Sequence, residues 1–303
     1  MPVATKHVLA QRRVVGALVR AVALAAVKKP KGTLVTPGPE IRFQAPSPSD
    51  ALVKDFVRLV RGDPSAYKRE LPPHLFPQWS FPAVLRALEG VPYPFARIVN
   101  AGCTLSIEGP LPKGEPLDVT ARLSSIDDNG RRAIMHVEVI TSTRSCGTAL
   151  RADFRALAPL GGGGKNGKSN GAKKLKDAAD KPRIVERGRE IGRFSLSKRA
   201  GLDFAKATGD FNPIHWAPRY AKAMGFRSVI LHGFGSLSWA FEGLVRGLYS
   251  GDVSRIREID ANFVRPLVLQ ALVGLYVWGD GELGLGDAPG GPAYMLGSHK
   301  QRI

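Results

Sequence analysis

Acidic residues are missing from the first thirty-nine positions of this 303-residue chain, cysteine occurs only twice, and no apolar run is long enough to cross a bilayer. Each absence removes a class of protein. Cys103 and Cys146 can pair only with each other, and both fall in strand-like segments, so the thiols read as reduced, buried and intracellular rather than as the staples of a secreted scaffold. The most apolar stretch, 8–27, carries Gln11, Arg12, Arg13 and Arg20, which argues against a transmembrane helix. Neither a basic reading helix nor basic residues interleaved with stacking aromatics is visible, so a nucleic-acid partner is not expected. No His, Cys or Asp cluster shows metal-ligand spacing.

What is present is a net charge of +18. Residues 1–39 hold seven Lys and Arg, and residues 161–182 hold six Lys against two Asp, so most of the charge sits outside the two stretches that look folded. Residues 1–45 therefore read as a basic N-terminal extension. Two readings stand side by side for it: a mitochondrial presequence, from which the usual serines are missing, or a basic amphipathic helix packed on the fold or lying on a membrane surface. The compartment follows that choice, cytoplasm in a bacterium or mitochondrial matrix in a eukaryote.

Residues 46–160 form a first globular half. Ser49 is placed to cap a helix carrying Leu52, Val53, Phe56, Val57 and Val60, ending near Gly62. The proline-rich stretch 71–82 predicts irregular chain, followed by a short helix over 83–88. Strand-like runs follow at 97–107, 117–126, 131–140 and 148–157, with Asp128-Asn129-Gly130 as a hairpin signal. His74 and His136 have no partner at informative spacing and read as structural. Residues 161–185 predict a Gly/Lys-rich linker; Gly167-Lys168-Ser169 imitates a phosphate loop, but Asn170-Gly171 and the lysines after it do not start a helix.

Residues 186–303 repeat the plan. Ser195 or Ser197 is expected to cap a helix through Leu202, Phe204 and Ala205, and strands are expected at 256–264, 269–278 and 293–298. Glycine-rich 279–292 predicts that the last strand is short. Lys54-Asp55-Phe56 to Arg61-Gly62-Asp63 aligns with Leu202-Asp203-Phe204 to Thr208-Gly209-Asp210, the mark of an internal duplication. Five residues after Asp63 stands Lys68; five after Asp210 stands His215.

The chemistry concentrates in that second copy, at Gly209-Asp210-Phe211-Asn212-Pro213-Ile214-His215 and at Leu231-His232-Gly233-Phe234-Gly235. Pro213 biases Asn212 away from helix, so a carboxylate and an imidazole share an irregular loop and can converge on one water. The same residues also make a good turn, with a surface histidine at its end. Beyond His232-Gly233, Leu237, Phe241, Leu244, Val245 and Leu248 follow at helical spacing on one face. A glycine at the head of that helix lets a backbone N–H approach a ligand oxygen, the makings of an oxyanion hole.

Gly209 to His215 fits the signature Gly-Asp-x-Asn-Pro-[Ile/Leu]-His at every defined position, and this half resembles the MaoC-like (R)-specific enoyl-thioester hydratase / 3-hydroxyacyl-thioester dehydratase family. The resemblance implies an α+β double hot-dog, two curved antiparallel sheets each wrapping a central helix, with 46–160 a degenerate copy and 186–303 the catalytic one. It implies reversible hydration of trans-2-enoyl thioesters of coenzyme A or acyl carrier protein, without metal or organic cofactor, by a monomer or homodimer. Asp210 and His215 become the catalytic dyad, Asn212 holds the loop, and Gly233 supplies the oxyanion N–H. Phe234 stands where the family often has Met, which is expected to reshape the acyl pocket. A basic face suits the phosphates of coenzyme A or an acidic carrier surface, although scattered Lys and Arg are commonly just solvated. A hot-dog thioesterase, and a non-catalytic subunit or carrier-docking module of a larger assembly, are the alternatives.

Overall fold

The computed structural model describes residues 2–27, 35–94, 98–160 and 183–302. Ten antiparallel strands make one sheet: β1 (Ile41–Ala45), β2 (Val99–Ile107), β3 (Leu117–Asp128), β4 (Arg132–Ser142), β5 (Leu150–Pro159), β6 (Arg189–Leu196), β7 (Ile256–Phe263), β8 (Ala271–Trp278), β9 (Glu282–Gly286) and β10 (Ala293–Gln301). Their order is β1-β3-β4-β5-β2-β7-β10-β9-β8-β6. Read outward from the middle, the first half runs β2-β5-β4-β3-β1 and the second β7-β10-β9-β8-β6, the same succession about a pseudo-twofold axis. The halves join where β2 pairs with β7, from Gly102 opposite Asn262 to Ser106 opposite Glu258.

The helices repeat in the same way. In each half a central helix, α3 (Pro77–Ala87) or α6 (Gly233–Gly247), leads toward the seam strand, and an earlier helix, α2 (Asp50–Leu59) or α4 (Ala200–Thr208), precedes it. α2 and α4 meet, with the Phe56 and Phe204 rings 6.1 Å apart. This is the α+β double hot-dog, and the duplicated order of elements is its origin in the chain.

Local chemistry explains most of the elements. Ser49 caps α2, its hydroxyl accepting from the Leu52 N–H at 3.3 Å. β4 alternates, with Ala133, Met135, Val137, Val139 and Thr141 buried and the residues between them half-buried. Cys103 is buried, Cys146 half-buried, and both are free thiols. His136 lies on the half-exposed strand face, 3.1 Å from Asp153 and 3.4 Å from Asp127.

Four expectations need correction. The proline-rich stretch is not irregular throughout: α3 starts at Pro77 and includes Pro82. Pro77 sits where helical N–H groups have no partner, and the burial of Trp79, Ser80, Ala83 and Val84 outweighs the one ladder bond that Pro82 cannot make. Ser195 belongs to strand β6, opposite Leu272, and α4 begins later, after Arg199, with no side-chain cap from either serine. The last strand is not short, because β10 pairs on both sides, with β7 and with β9, and β9 itself lies inside the glycine-rich 279–292. Finally, α6 is buried from Phe234 to Val245 on every side rather than on one face, as befits a helix enclosed by sheet and by the other half. The greater part of the 161–185 linker, residues 161–182, lies outside the described residues.

The N-terminal extension is ordered over a 3-10 turn (Thr5–Gln11) and α1 (Arg12–Val27), and these lie on α3 and α4. No helix among the described residues is long and apolar enough to cross a membrane.

One polar cluster crosses the seam in the core. Tyr67 donates to Glu242 Oε1 at 2.7 Å, and His74 Nε2 lies 3.3 Å from the same oxygen, out of hydrogen-bonding alignment. His74 is packed against Phe241 and Phe56, with ring centroids 4.5 and 5.2 Å away. Burial lifts the Glu242 carboxyl from its ordinary 4.5 to about 7 and lowers His74 to about 3, so both are neutral in mildly acidic solution. A carboxyl raised in the folded state binds its proton there while the unfolded chain has already lost it; stability therefore falls as pH climbs from about 4.5 to about 7. Glu242→Gln, neutral throughout, is expected to melt a few degrees above the parent at pH 8, the gap closing toward pH 5, in thermal denaturation followed across that range.

Candidate active site

Asp210 hangs from the end of α4. Its helix stops at Gly209, whose φ of 87° is the left-handed conformation that glycine adopts without strain, and the Gly209 N–H closes back on the Ala205 carbonyl at 2.7 Å. Asp210 Oδ1 accepts from the Asn212 N–H at 3.2 Å. Asn212 then caps the 3-10 turn Pro213–His215, its side-chain oxygen accepting from the Ile214 N–H at 3.3 Å. Two successive side-chain-to-backbone bonds thus fold Asp210 and His215 toward one another. A ring nitrogen of His215, a ring nitrogen of His232 and a carboxylate oxygen of Asp210 all lie within 4.8 Å of one another.

The hydrogen bonds fix the tautomers. His215 Nδ1 lies 2.9 Å from the Ile230 carbonyl, an acceptor, so Nδ1 carries the proton and Nε2 presents a lone pair. His232 Nε2 donates to the Asp210 carbonyl at 2.9 Å and lies 3.9 Å from its carboxylate. The two imidazoles stack, centroids 3.5 Å apart and planes 22° apart, with Phe204 on the far side of His232 at 4.9 Å.

Electrostatics follow from depth. Burial lowers His215 to about 3, with the neighbouring His232 adding to the effect, and lowers His232 to about 4. Both rings are neutral at physiological pH. Burial raises the Asp210 carboxyl above its ordinary value, while His215 and the Asn212 N–H oppose the shift.

Gly233 opens α6 directly after His232. Its N–H belongs to the first helical turn, which has no partner inside the helix, at the positive end of the dipole. A Cβ at this position would lie 2.5 Å from the Phe263 ring, so only glycine fits.

Residues 183–284 match the family model described as MaoC like domain. The chain carries a MaoC-like domain. Among proteins similar to it are the mouse peroxisomal multifunctional enzyme type 2, 25% identical over 198 residues, and the Arabidopsis thaliana peroxisomal enoyl-CoA hydratase 2, 26% identical over 187 residues. The matches cover 65% and 58% of this chain, and 26% and 58% of those proteins. A Mycobacterium tuberculosis protein named 3-hydroxyacyl-thioester dehydratase Y is 27% identical over 190 residues, covering 60% of this chain and 62% of its own. In fold, the chain is similar to HtdX of M. tuberculosis (TM-score 0.67, 18% identity, 87% of this chain and 100% of that one). It is likewise similar to a MaoC-like dehydratase from Phytophthora capsici (TM-score 0.64, 19% identity, 87% and 95%).

In the MaoC-like stretch, Asp210, Asn212 and His215 share one loop, and His232, stacked on His215, is followed directly by Gly233 at the head of α6. His232 is the residue that sequence reasoning passed over, having noted the His-Gly pair for its glycine alone. The available signal was its place directly before the glycine that opens α6; in the structure its side chain is buried. Although Asp210, His215 and His232 have the donor set of a metal site, stacked rings hold their in-plane lone pairs side by side instead of convergent, which does not suit one ion. A cleft of about 950 Å³ opens elsewhere, between Tyr249, Arg255, Trp278 and His299. It adjoins the far end of α6, roughly 22 Å from Gly233 by helix rise, and shares no group with the dyad.

Gly233→Ala is expected to cost about 1–3 kcal/mol of stability, since the Phe263 ring must move. Chemical denaturation of the variant beside the parent measures it.

Proposed function

We propose that the protein catalyses reversible addition of water to a trans-2-enoyl thioester, giving the (R)-3-hydroxyacyl thioester, with residues 186–303 as the catalytic half. The observation that carries this reading is the meeting of the Asp210 carboxylate and a His215 imidazole of fixed tautomer around one point. A ring nitrogen of His215 and a carboxylate oxygen of Asp210 lie within 4.8 Å of each other, close enough for one water to bridge the two side chains by hydrogen bonds of about 2.8 Å. Asp210, raised by burial, is the better proton acceptor; His215, which resists charge, holds the other O–H through Nε2.

In the forward direction the water oxygen bonds to C3 as its proton passes to Asp210. The electron pair of the C2–C3 double bond moves toward the thioester, where the Gly233 N–H meets the charge gathering on oxygen. A proton returned from Asp210 to C2 completes the addition and restores the carboxylate. The relatives named as enoyl-CoA hydratase and 3-hydroxyacyl-thioester dehydratase support this choice of reaction. The carrier is coenzyme A or an acyl carrier protein.

Residues 46–160, with β1 (Ile41–Ala45) completing their sheet, are the inert copy. Asp63 is engaged with Ser65 through both oxygens, at 2.8 and 2.6 Å, and no imidazole follows it at the spacing of His215. What that half offers the acyl group is shape. Phe234, next to Gly233, meets Phe76, Phe81 and Phe154 of the first half at 5.1, 6.3 and 5.6 Å, so the acyl tail runs toward these rings.

Asp210→Asn and His215→Ala are each expected to lower kcat by about 10²–10⁴ with melting temperature little changed, in an assay that follows loss of enoyl absorbance. Free thiol release in the same assay separates a thioesterase. Turnover of enoyl thioesters by Asp210→Asn at the parent rate would end the proposal. The pH profile supplies a second test. Activity needs ionised Asp210, so it falls as pH drops through a value raised above that of an ordinary aspartate, and the parent shows no limb at the usual imidazole pKa of about 6.5.

A further inference from the structure

The N-terminal segment is tied to the fold through α2 and α4, with Gln11 reaching the end of α4. The Val3 N–H donates to Asp203 Oδ1 at 3.3 Å, Lys206 Nζ donates to the Val3 carbonyl at 3.2 Å, and His7 Nε2 lies 2.8 Å from Asp55 Oδ2 on α2. Gln11 is wholly buried, and both ends of its amide are engaged. Nε2 donates to the carbonyls of Lys206 (3.3 Å) and Ala207 (2.8 Å), and Oε1 accepts from Gln78 Nε2 of α3 (3.3 Å). One turn further on, Val14 is pressed against Gly209 so closely that a Cβ there would lie 2.6 Å from the Val14 Cβ.

The last four carbonyls of a helix have no partner within it and need capping from outside. At the end of α4 the Ala205 carbonyl is taken by Gly209 and the next two by Gln11. The chain then turns through the left-handed Gly209 into Asp210, so a small rotation at that glycine swings the carboxylate away from His215. Val14 blocks one direction of that swing.

We propose that Gln11, assisted by Val14, is a positioning residue for Asp210: it caps the C-terminus of α4 and thereby sets the direction in which the catalytic loop leaves the helix. Through Gln78 the same amide makes the inert half a support for the loop. A segment with the composition of a removable leader is on this account a working part of the active site. The inference rests on the role given above to Asp210.

The test is steady-state kinetics on full-length variants with an enoyl thioester. Gln11→Met keeps the volume and removes the donors; Gln11→Glu keeps both the volume and the acceptor for Gln78, and serves should the first variant not fold. His7→Phe, which loosens the segment at Asp55 away from the catalytic loop, is the comparison. Each Gln11 variant is expected to lose about tenfold or more in kcat with KM within about twofold of the parent, as a misplaced catalytic group does. His7→Phe is expected to lower the melting temperature with kcat retained. Parent kcat in a folded Gln11 variant, or an equal loss of kcat in His7→Phe at equal loss of stability, would overturn the proposal. Full activity of Asp210→Asn would instead strike the hydratase reading itself, whatever Gln11 does.

Discussion

Pairing of β2 with β7 is the contact on which the rest of the molecule depends. A five-stranded sheet from either half alone ends in a row of unsatisfied N–H and C=O groups, and this pairing consumes one such row from each. Arg155 of β5 reinforces it across β2, donating to Asp260 at 2.8 Å and to the Ala261 carbonyl at 2.9 Å on β7. With the two sheets made continuous, the central helices lie inside one enclosure, and α6 is buried without a break from Phe234 to Val245.

That enclosure explains the electrostatics of the loop. A carboxylate and two imidazoles withdrawn from water titrate away from their ordinary values, all in the direction that opposes charge. The same physics acts across the boundary between the halves, where Glu242 and His74 are also held neutral in mildly acidic solution, but there aromatic rings pack against the histidine. Two buried acid-histidine groupings therefore share one core. Only one of them includes a half-buried carboxylate on a loop, Asp210; Glu242 is wholly enclosed within a helix.

Much of this was legible in the chain. The strand runs of the first half, the Ser49 cap, the order of elements in the two copies and the residues of the loop could all be read, because alternation, capping chemistry and a dense motif are local signals. What escaped was decided by distant partners. β1 and β6 are short edge strands, each completed by pairing with a strand distant in the chain, and Pro82 enters a helix because packing overrides its propensity. His232 acquires its role from a stacking partner seventeen residues away, and Gln11 from carbonyls almost two hundred residues away. Neither relation leaves a periodic trace.

The pseudo-twofold succession of strands has one further implication. Two identical subunits joined at such a seam would be bound by symmetry to change together, every substitution appearing twice. Covalent union lifts that restriction. Lys68 can stand in one copy and His215 in the other, and Glu242 can meet Tyr67 without a counterpart being forced upon the loop of Asp210. Fusion leaves each half free to drift in directions its twin could not survive.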